Sequence, residues 1–204
     1  MITRTLERSL LCDSLDDVFV ATDDDRIKDE VVKYGGKVLM TPVSLNSGTD
    51  RVLAAASQLQ CDSDDILVNI QGDEPFINPV HVDSLVQSMI EDANCNMSTI
   101  AVEEPVPLVN DTNTVKVVCL PNRNALYFSR SLIPYPRFGD NPMYLRHIGL
   151  YSFRYRFLKI FAALTPSSLE AIEGLEQLRV IEAGYSIRVV QVQGPVQPGK
   201  LLFT

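Results

Sequence analysis

Ile-Leu-Val-Asn-Ile-Gln-Gly-Asp-Glu-Pro, residues 66–75, combines the strongest strand signal in the chain with a polar turn. Four of the first five residues are large and apolar, which is typical of a buried strand. Gly72 then leaves room for a ligand to approach, and Asp73 offers a hard oxygen ligand suited to Mg²⁺. Since ligands of open α/β sheets collect beyond the carboxyl ends of the strands, Asp73 is a candidate metal ligand. A loop whose acids cap the next helix fits the same spacing equally well.

Strand and helix signals alternate on both sides of this stretch. Further apolar strand candidates are 18–22, 37–41, 98–102, 115–119, 125–129, 148–153 and 186–192. Helix starts are indicated by capping or first-turn residues at Asp23 or Asp24, Ser47, Pro79 and Ser167. This alternation predicts an α/β fold with a mixed, mostly parallel sheet and helices on both faces. Because 95–153 lacks clear helices, we expect a small β-rich lobe with antiparallel strands there.

Composition and charge set bounds on the function. The chain has 204 residues, of which 46% are hydrophobic and 22% charged, and no linker divides it, so we expect a single domain over 1–204. The net charge is −8, yet the segment 114–160 holds eight cations and one acid and carries +7. This asymmetry indicates a site for a small anion, although neutralising neighbours in space would explain it equally well. Without a basic stripe elsewhere, we expect no nucleic-acid partner.

From this sequence we expect neither a membrane segment nor an export signal. No apolar run approaches the roughly 20 residues that cross a bilayer, and the N-terminus lacks the apolar core of a signal peptide. Four scattered cysteines without a CxxC pair, and two histidines far apart, argue against a structural zinc site. Free thiols of this kind are typical of a cytoplasmic protein, and we expect no contact with a membrane.

Polar residues at the ends of two predicted elements are candidates for binding. Ser47 and Gly48 at a helix start can offer backbone N–H groups to an anion, with the donor fork of Arg51 one turn further on. An ordinary helix cap explains Ser47 equally well. Asp23 also follows a strand, but there a helix cap is the favoured interpretation.

Two further pairs lie on other elements. His147 and Tyr151 are expected to share one face of a strand, because side chains alternate along it; a lone histidine is nevertheless more often structural than functional. Glu176 and Gln177 are placed on a helix, where a solvated charged face is the favoured interpretation. The sequence has no GxGxxG, Walker-type or GxSxG motif. The residues alone therefore support a soluble α/β domain that binds a small anion, with or without a divalent metal.

Seven segments in register resemble one enzyme family. They are 21–23 (ATD), 47–51 (SGTDR), 69–75 (NIQGDEP), 115–118 (VKVV), 125–131 (ALYFSRS), 146–151 (RHIGLY) and 175–179 (LEQLR). Their order and spacing, from about Met1 to about Val192, resemble 3-deoxy-manno-octulosonate cytidylyltransferase, the CMP-Kdo synthetase family. QGDEP together with ALYFSRS and LEQLR separates this family from the related sialic-acid enzymes. The resemblance implies a Rossmann-like nucleotidyltransferase fold.

The resemblance also implies a reaction. The anomeric hydroxyl of the acid sugar 3-deoxy-D-manno-octulosonate (Kdo) attacks the α-phosphate of CTP, and CMP-Kdo and pyrophosphate result. Mg²⁺ is the implied cofactor. The implied protein is a cytoplasmic homodimer whose product feeds lipopolysaccharide biosynthesis.

The roles of individual residues follow from the same resemblance. Asp73 would hold Mg²⁺. The residues near the cytosine and ribose would be Ser47, Gly48 and Arg51, and Gln71 would lie near the sugar. The residues that line the Kdo pocket would be Lys116, Arg130, His147, Tyr151, Glu176 and Gln177. Because a cation can face the sugar carboxylate, Lys116 and Arg130 join Asp73 as the expected catalytic residues.

Two segments of the family pattern have no counterpart in this sequence. The family has a first strand and a Gly-, Arg- and Lys-containing phosphate loop before the position of Met1. It has a Val-Asp-Thr-Pro-Glu-Asp-like motif, with a second metal aspartate, where this chain has 197–204. Without the interior strand, its neighbours are expected to have unpaired edges. Four alternatives stay open. The chain is an incomplete copy of a normal enzyme, an inactive copy, a Kdo- or nucleotide-binding module, or a cytidylyltransferase for another acid sugar.

Overall fold

The computed structural model describes residues 1–45, 47–138 and 142–193, and the segment 197–204 lies outside this range. The strands within it are β1 Phe19–Thr22, β2 Lys37–Met40, β3 Ile66–Asn69, β4 Met97–Pro105, β5 Lys116–Cys119, β6 Ala125–Ser129, β7 Met143–Arg154 and β8 Arg188–Val192. The helices are α1 Ile2–Ser9, α2 Asp25–Lys33, α3 Gly48–Ala56, α4 Pro79–Ile90, α5 Val106–Val109, α6 Tyr155–Ala163, α7 Ser168–Glu173 and α8 Leu178–Glu182. The predicted α/β alternation is confirmed.

The strands form two sheets. β1 and β2 pair in parallel as a two-stranded sheet, and the second sheet has the order β6-β5-β7-β4-β8, with β3 also paired to β7. The sheet is mixed, as predicted, but its described pairings are mainly antiparallel rather than mainly parallel: only β1–β2 and β4–β8 run in parallel. The cause is the long strand β7, which runs antiparallel to β3, β4 and β5. The hairpin of β5 and β6 forms the expected β-rich part.

Helices cover both faces of the larger sheet. Side chains alternate along β4, so that Ala101 packs in one core cluster while Ile100 and Val102 pack in another. The first cluster receives α6 and α8, for example through Phe161. The second receives α4, for example through Leu85. The prediction of helices on both faces is therefore confirmed.

Strand β3 is less buried than its apolar sequence predicts, since each of its four residues is half-buried. Among the described residues, β3 pairs only with β7 and β1 pairs only with β2. Each strand therefore has one edge without a strand partner in that part of the chain. Helix α3 packs against both β1 and β3.

The C-terminal helical region differs from the prediction. The capping box of Ser167 and Glu170 is present and starts α7. Gly174, with a φ of 64°, then ends this helix in the left-handed conformation that glycine adopts without strain. Glu176 and Gln177 consequently lie in the turn before α8 and not on a helix as predicted.

No helix in the described ranges has both the length and the apolar character needed to span a membrane.

Candidate functional site

The carboxyl end of β3 meets the middle of β7. Asn69, the last residue of β3, is paired with Tyr151. Gln71 follows closely, and a Cβ atom added to Gly149 of β7 would lie 3.3 Å from the Gln71 amide nitrogen. Gly149 therefore makes room for Gln71, and the turn after β3 lies directly beside the strand that carries His147.

Helix α1 holds the acidic turn after β3. The hydroxyl of Thr5 donates to the carbonyl of Gly72 at 3.0 Å, and Nε of Arg8 donates to the carbonyl of Ile77 at 3.0 Å. Ile2 approaches Gly72 so closely that an added Cβ atom would lie 3.2 Å from its Cδ1. The turn that carries Asp73 is thus fixed at both ends by a helix that the sequence analysis did not connect with it.

Asp73 fits a magnesium ion that is shared with a substrate. The Asp73 side chain is exposed beside Glu74, whose pKa is raised by burial and by the neighbouring Asp73 charge. The described residues contain no group of three or more His, Cys, Asp or Glu side chains that could hold a metal. A single carboxylate suits Mg²⁺, because this ion is usually bound through one or two carboxylates, water and substrate phosphates.

The first turn of α3 lies next to the end of β3. Ser47 caps the helix, since its hydroxyl accepts from the backbone N–H of Asp50 at 3.0 Å. A Cβ atom on Gly48 would lie 3.7 Å from the Asn69 amide nitrogen, so that Gly48 borders β3. The open backbone at Gly48 and the end of β3 together form one edge of the site.

Arg51 bridges the ends of two strands. Its Nη2 lies 2.9 Å from the Asp23 carboxylate, and its Nη1 donates to the hydroxyl of Thr41 at 2.6 Å. Of the two predicted caps of α2, Asp24 takes the role, and Asp23 instead pairs with Arg51. Arg51 is therefore held in place by groups that follow β1 and β2.

His147 and Tyr151 lie together on β7, which confirms the expected shared face: their ring centroids are 5.4 Å apart. Nε2 of His147 lies 2.9 Å from the hydroxyl oxygen of Thr99. The same hydroxyl lies 2.8 Å from the carbonyl of Leu150 and 3.3 Å from that of Ile148, so it joins His147 to the following part of β7.

Burial fixes the protonation of both rings. It lowers the pKa of His147 to about 3, helped by the charge of Arg146, so the imidazole is neutral at pH 7. Burial also raises the pKa of Tyr151, with a smaller contribution from the Glu176 carboxylate. The site therefore contains a neutral imidazole and a phenol that keeps its proton.

Lys116 is buried among carbonyl groups. Its ammonium donates to the carbonyl of Thr114 at 2.6 Å, to that of Asp111 at 3.3 Å and to that of Arg130. Burial lowers the pKa of Lys116. These three bonds use the three donors of the ammonium group, so this side chain joins the 111–114 turn to the end of β6.

The guanidinium of Arg130 also binds carbonyl groups. Nε donates to Glu173 at 2.7 Å, Nη1 to Thr112 at 3.1 Å and Nη2 to Gly174 at 3.4 Å. These described bonds leave two of its five N–H groups for other acceptors. Arg130 thus lies at the junction of β6 and the α7–α8 turn, and no described contact joins it or Lys116 to Asp73.

Glu173 is a residue that the sequence analysis missed. Its carboxylate accepts from the hydroxyl of Ser129 at 2.7 Å and from the backbone N–H of Arg130 at 2.9 Å. The partners are more than forty positions away in sequence, and no local pattern marks such a pair. Only the pairing of β6 with the C-terminal helices brings them together.

Several positively charged side chains of 114–160 form ion pairs or hydrogen bonds with other parts of the chain. Arg146 forms two bonds of 2.7 Å with Glu104, and Arg156 pairs with Asp64. Arg154 is buried and donates to backbone carbonyls, among them that of Met89 at 2.7 Å. Within the described residues two of the eight cations, Arg146 and Arg156, form an ion pair, so neighbours in space neutralise only part of the charge asymmetry.

A comparison with known families gives the class of protein. A sequence profile described as "Cytidylyltransferase" matches residues 1–187. The chain belongs to the cytidylyltransferase family.

Curated relatives narrow this class to enzymes for eight-carbon acid sugars. A 3-deoxy-manno-octulosonate cytidylyltransferase of Syntrophobacter fumaroxidans is 46% identical over 93% of this chain and 77% of its own length. A protein of the same name from Bacteroides thetaiotaomicron is 46% identical over 86% of this chain and 73% of its own length. An 8-amino-3,8-dideoxy-manno-octulosonate cytidylyltransferase of Shewanella halifaxensis is 45% identical over 93% of this chain and 78% of its own length. The resemblance inferred from the sequence motifs is confirmed.

Solved structures agree with this assignment. A CMP:2-keto-3-deoxy-manno-octonic acid synthetase complexed with CTP matches with a TM-score of 0.90 and 39% identity, over 95% of this chain and 79% of that chain. A cytidylyltransferase from Leptospira borgpetersenii shares the fold, with a TM-score of 0.57 and 15% identity over 94% of this chain and 65% of that chain.

Proposed function

We propose that this chain transfers a cytidylyl group from CTP to Kdo and releases pyrophosphate. The observation that carries the proposal is the convergence of three segments: the end of β3, the first turn of α3 and the α7–α8 turn. Thr49 of α3 donates to Glu176 of that turn at 2.8 Å, and Gly48 borders Asn69 of β3. The relatives and the CTP-bound structure supply the chemical identity of the substrates.

The proposed step is a displacement at phosphorus. The anomeric oxygen of Kdo forms a bond to the α-phosphorus of CTP, and the bond from that phosphorus to the bridging oxygen breaks. Pyrophosphate leaves with the electron pair, and the hydroxyl proton passes to solvent. Mg²⁺, held by Asp73 and the phosphates, would offset the negative charge of the triphosphate.

Kdo would bind beside β7. His147 can form a hydrogen bond through Nδ1, Tyr151 can donate from its phenol, and the Glu176 carboxylate can accept from sugar hydroxyls. The two remaining N–H groups of Arg130 suit the sugar carboxylate. Lys116 would support this pocket through the carbonyl of Arg130. Gln71 and Gln177 complete the set that we assign to the sugar.

CTP would bind across the first turn of α3. The backbone at Ser47 and Gly48 and the fork of Arg51 would form hydrogen bonds with the cytosine and the ribose. The pairing of Arg51 with Asp23 and Thr41 supports this role, because it fixes the guanidinium before the nucleotide arrives. We further propose that the protein acts as a homodimer in the cytoplasm and supplies lipopolysaccharide biosynthesis.

A second candidate substrate is 8-amino-3,8-dideoxy-manno-octulosonate. The observation that favours it is the relative from Shewanella halifaxensis, which is about as similar to this chain as the Kdo enzymes are. The two sugars differ only at carbon 8, where an amine replaces a hydroxyl.

The test is to incubate the purified chain with CTP, MgCl₂ and one sugar at a time, and to identify the products by mass spectrometry. Kdo, its 8-amino analogue and N-acetylneuraminate form the panel, with UTP in place of CTP as the nucleotide control. CMP-Kdo as the main product would support the proposal, and 8-amino product in its place would support the second candidate. Binding of CTP and Kdo without product would favour a binding module and contradict catalysis by this chain.

A further inference from the structure

Thr49 connects the nucleotide segment to the sugar segment. It is the second residue of α3, it is 5% exposed, and its hydroxyl donates to Oε2 of Glu176 at 2.8 Å. The hydroxyl must be the donor, because an ionised carboxylate only accepts. The two residues are 127 positions apart, so this contact exists only in the folded protein.

The two hydroxyls of this helix start have different tasks. Ser47 accepts from the backbone of Asp50 and so completes the helix cap. Thr49 does not serve the cap and points to Glu176 instead. A buried hydroxyl that donates its hydrogen bond to a carboxylate distant in sequence fixes the position of that carboxylate.

Arg179 competes for the same carboxylate. Its Nη2 lies 3.9 Å from Oε1 of Glu176, while its strong bonds go to Glu170, with Nε at 2.7 Å. At 3.9 Å this contact is a long ion pair, and we expect loss of the Thr49 bond to shift Glu176 closer to Arg179. Such a shift would reduce the effect of the Glu176 charge on Tyr151, whose pKa is raised by burial and, to a smaller extent, by this carboxylate.

We propose that Thr49 is a positioning residue that holds the Glu176 carboxylate towards the sugar pocket and away from Arg179. This inference rests on the proposed function, since it assumes that Glu176 binds the sugar. It assigns to the SGTDR segment a second task beside nucleotide binding. Sugar affinity, and not nucleotide affinity, should then depend on the Thr49 hydroxyl.

The test compares Thr49→Val, which keeps the shape and removes the hydroxyl, with Thr49→Ser, which keeps the hydroxyl. Thr22→Val is the matched control, because Thr22 is also 5% exposed and its hydroxyl accepts from the backbone of Asp24, away from Glu176. KM for Kdo should rise about tenfold in Thr49→Val, as expected for a lost bond to a charged group, while KM for CTP changes less than about twofold. Thr49→Ser and Thr22→Val should leave KM for Kdo near the wild-type value.

A double-mutant cycle separates positioning from general damage. In a Glu176→Ala background, Thr49→Val should have no further effect on KM for Kdo. Equal rises of both KM values, a similar rise in Thr22→Val, or a full additional loss in the Glu176→Ala background would overturn the inference. A wild-type chain that neither binds nor converts Kdo would instead overturn the proposed function, and the inference with it.

Discussion

Glu173 holds Arg130 by both its backbone and its side chain. The Glu173 carboxylate accepts from the Arg130 backbone N–H at 2.9 Å, and the Glu173 carbonyl accepts from Nε of Arg130 at 2.7 Å. Lys116 holds the same residue from the other side, through the carbonyl of Arg130. The guanidinium is therefore oriented before any ligand binds, which lowers the entropy cost of binding a carboxylate.

The substitution Glu173→Gln should weaken this arrangement. The neutral amide lacks the charge that strengthens the bonds to Ser129 and to the Arg130 N–H, and Ser129 has to accept from the new NH₂ group instead of donating. We expect KM for Kdo to rise about tenfold while KM for CTP changes less than about twofold. Glu182→Gln is the control: Glu182 binds Ser168 and Leu169 at the other end of α7. A comparable rise in KM for Kdo in that variant would contradict the assigned role.

Stability should fall in acid because of His147. Its pKa is lowered to about 3 in the folded chain, from an ordinary value of 6.5, so the unfolded chain takes up a proton first as the pH falls. The stabilisation is complete above about pH 6.5 and is lost progressively between there and about pH 3. We expect the free energy of unfolding to drop by about 2 kcal/mol from pH 7 to pH 5 through this residue.

Urea unfolding at the two pH values measures this loss. His147→Gln keeps an N–H donor for Thr99 but cannot take up a proton, so the variant should show a smaller drop than the wild type. An equal drop in both proteins would mean that carboxylates alone cause the acid sensitivity.

The ion pair of Arg179 and Glu170 should contribute more to the stability of the fold than ion pairs of exposed side chains. The two side chains are 13% and 16% exposed, and the hydrogen bond from the guanidinium lowers the pKa of the carboxyl. Arg179→Met leaves a nearly buried carboxylate without its cation, so we expect a loss of about 3 kcal/mol in the free energy of unfolding. In Arg26→Met, where the arginine side chain is 91% exposed, the loss should be clearly smaller. Chemical denaturation of both variants checks this, and similar losses would contradict it.

The contacts between α1 and the turn that carries Asp73 should affect the binding of Mg²⁺. Thr5→Val removes the bond to the Gly72 carbonyl, next to Asp73. We expect the Mg²⁺ concentration for half-maximal activity to rise about fivefold, with KM for Kdo unchanged. Thr3→Val on the same helix is the control, since no described contact joins Thr3 to this turn. An unchanged Mg²⁺ requirement in Thr5→Val would show that the turn keeps its shape without α1.

Local patterns predicted most elements of the fold. The boundaries of β6 match the predicted strand 125–129, because both ends are marked by polar or turn residues. The capping box at Ser167 and Glu170 also located a helix start correctly. Strand β7 was predicted too short, since its first residues, Met143 to His147, have no clean apolar alternation and gain their stability from β4.

The site was harder to predict than the fold. Motif resemblance pointed to Thr49 and Glu176 as members of two separate segments, but not to their contact. Lys116 shows why the site was harder to predict. Its charge suggested that it binds the sugar carboxylate, whereas in the structure its ammonium is buried among three backbone carbonyls. Contacts between distant segments depend on strand order and register, which no single stretch of sequence encodes.

The most direct test of the account is pyrophosphate release by this chain with CTP, Kdo and MgCl₂, measured beside Asp73→Asn at equal protein concentration. Asparagine keeps the size of the side chain and removes the charge that we assign to Mg²⁺. The account predicts Kdo-dependent release by the wild-type chain and a loss of at least about a hundredfold in the variant, as for other groups that stabilise transferring phosphates. Equal release by both proteins would remove Asp73 from the metal site, and no release by the wild-type chain would contradict the proposed activity itself.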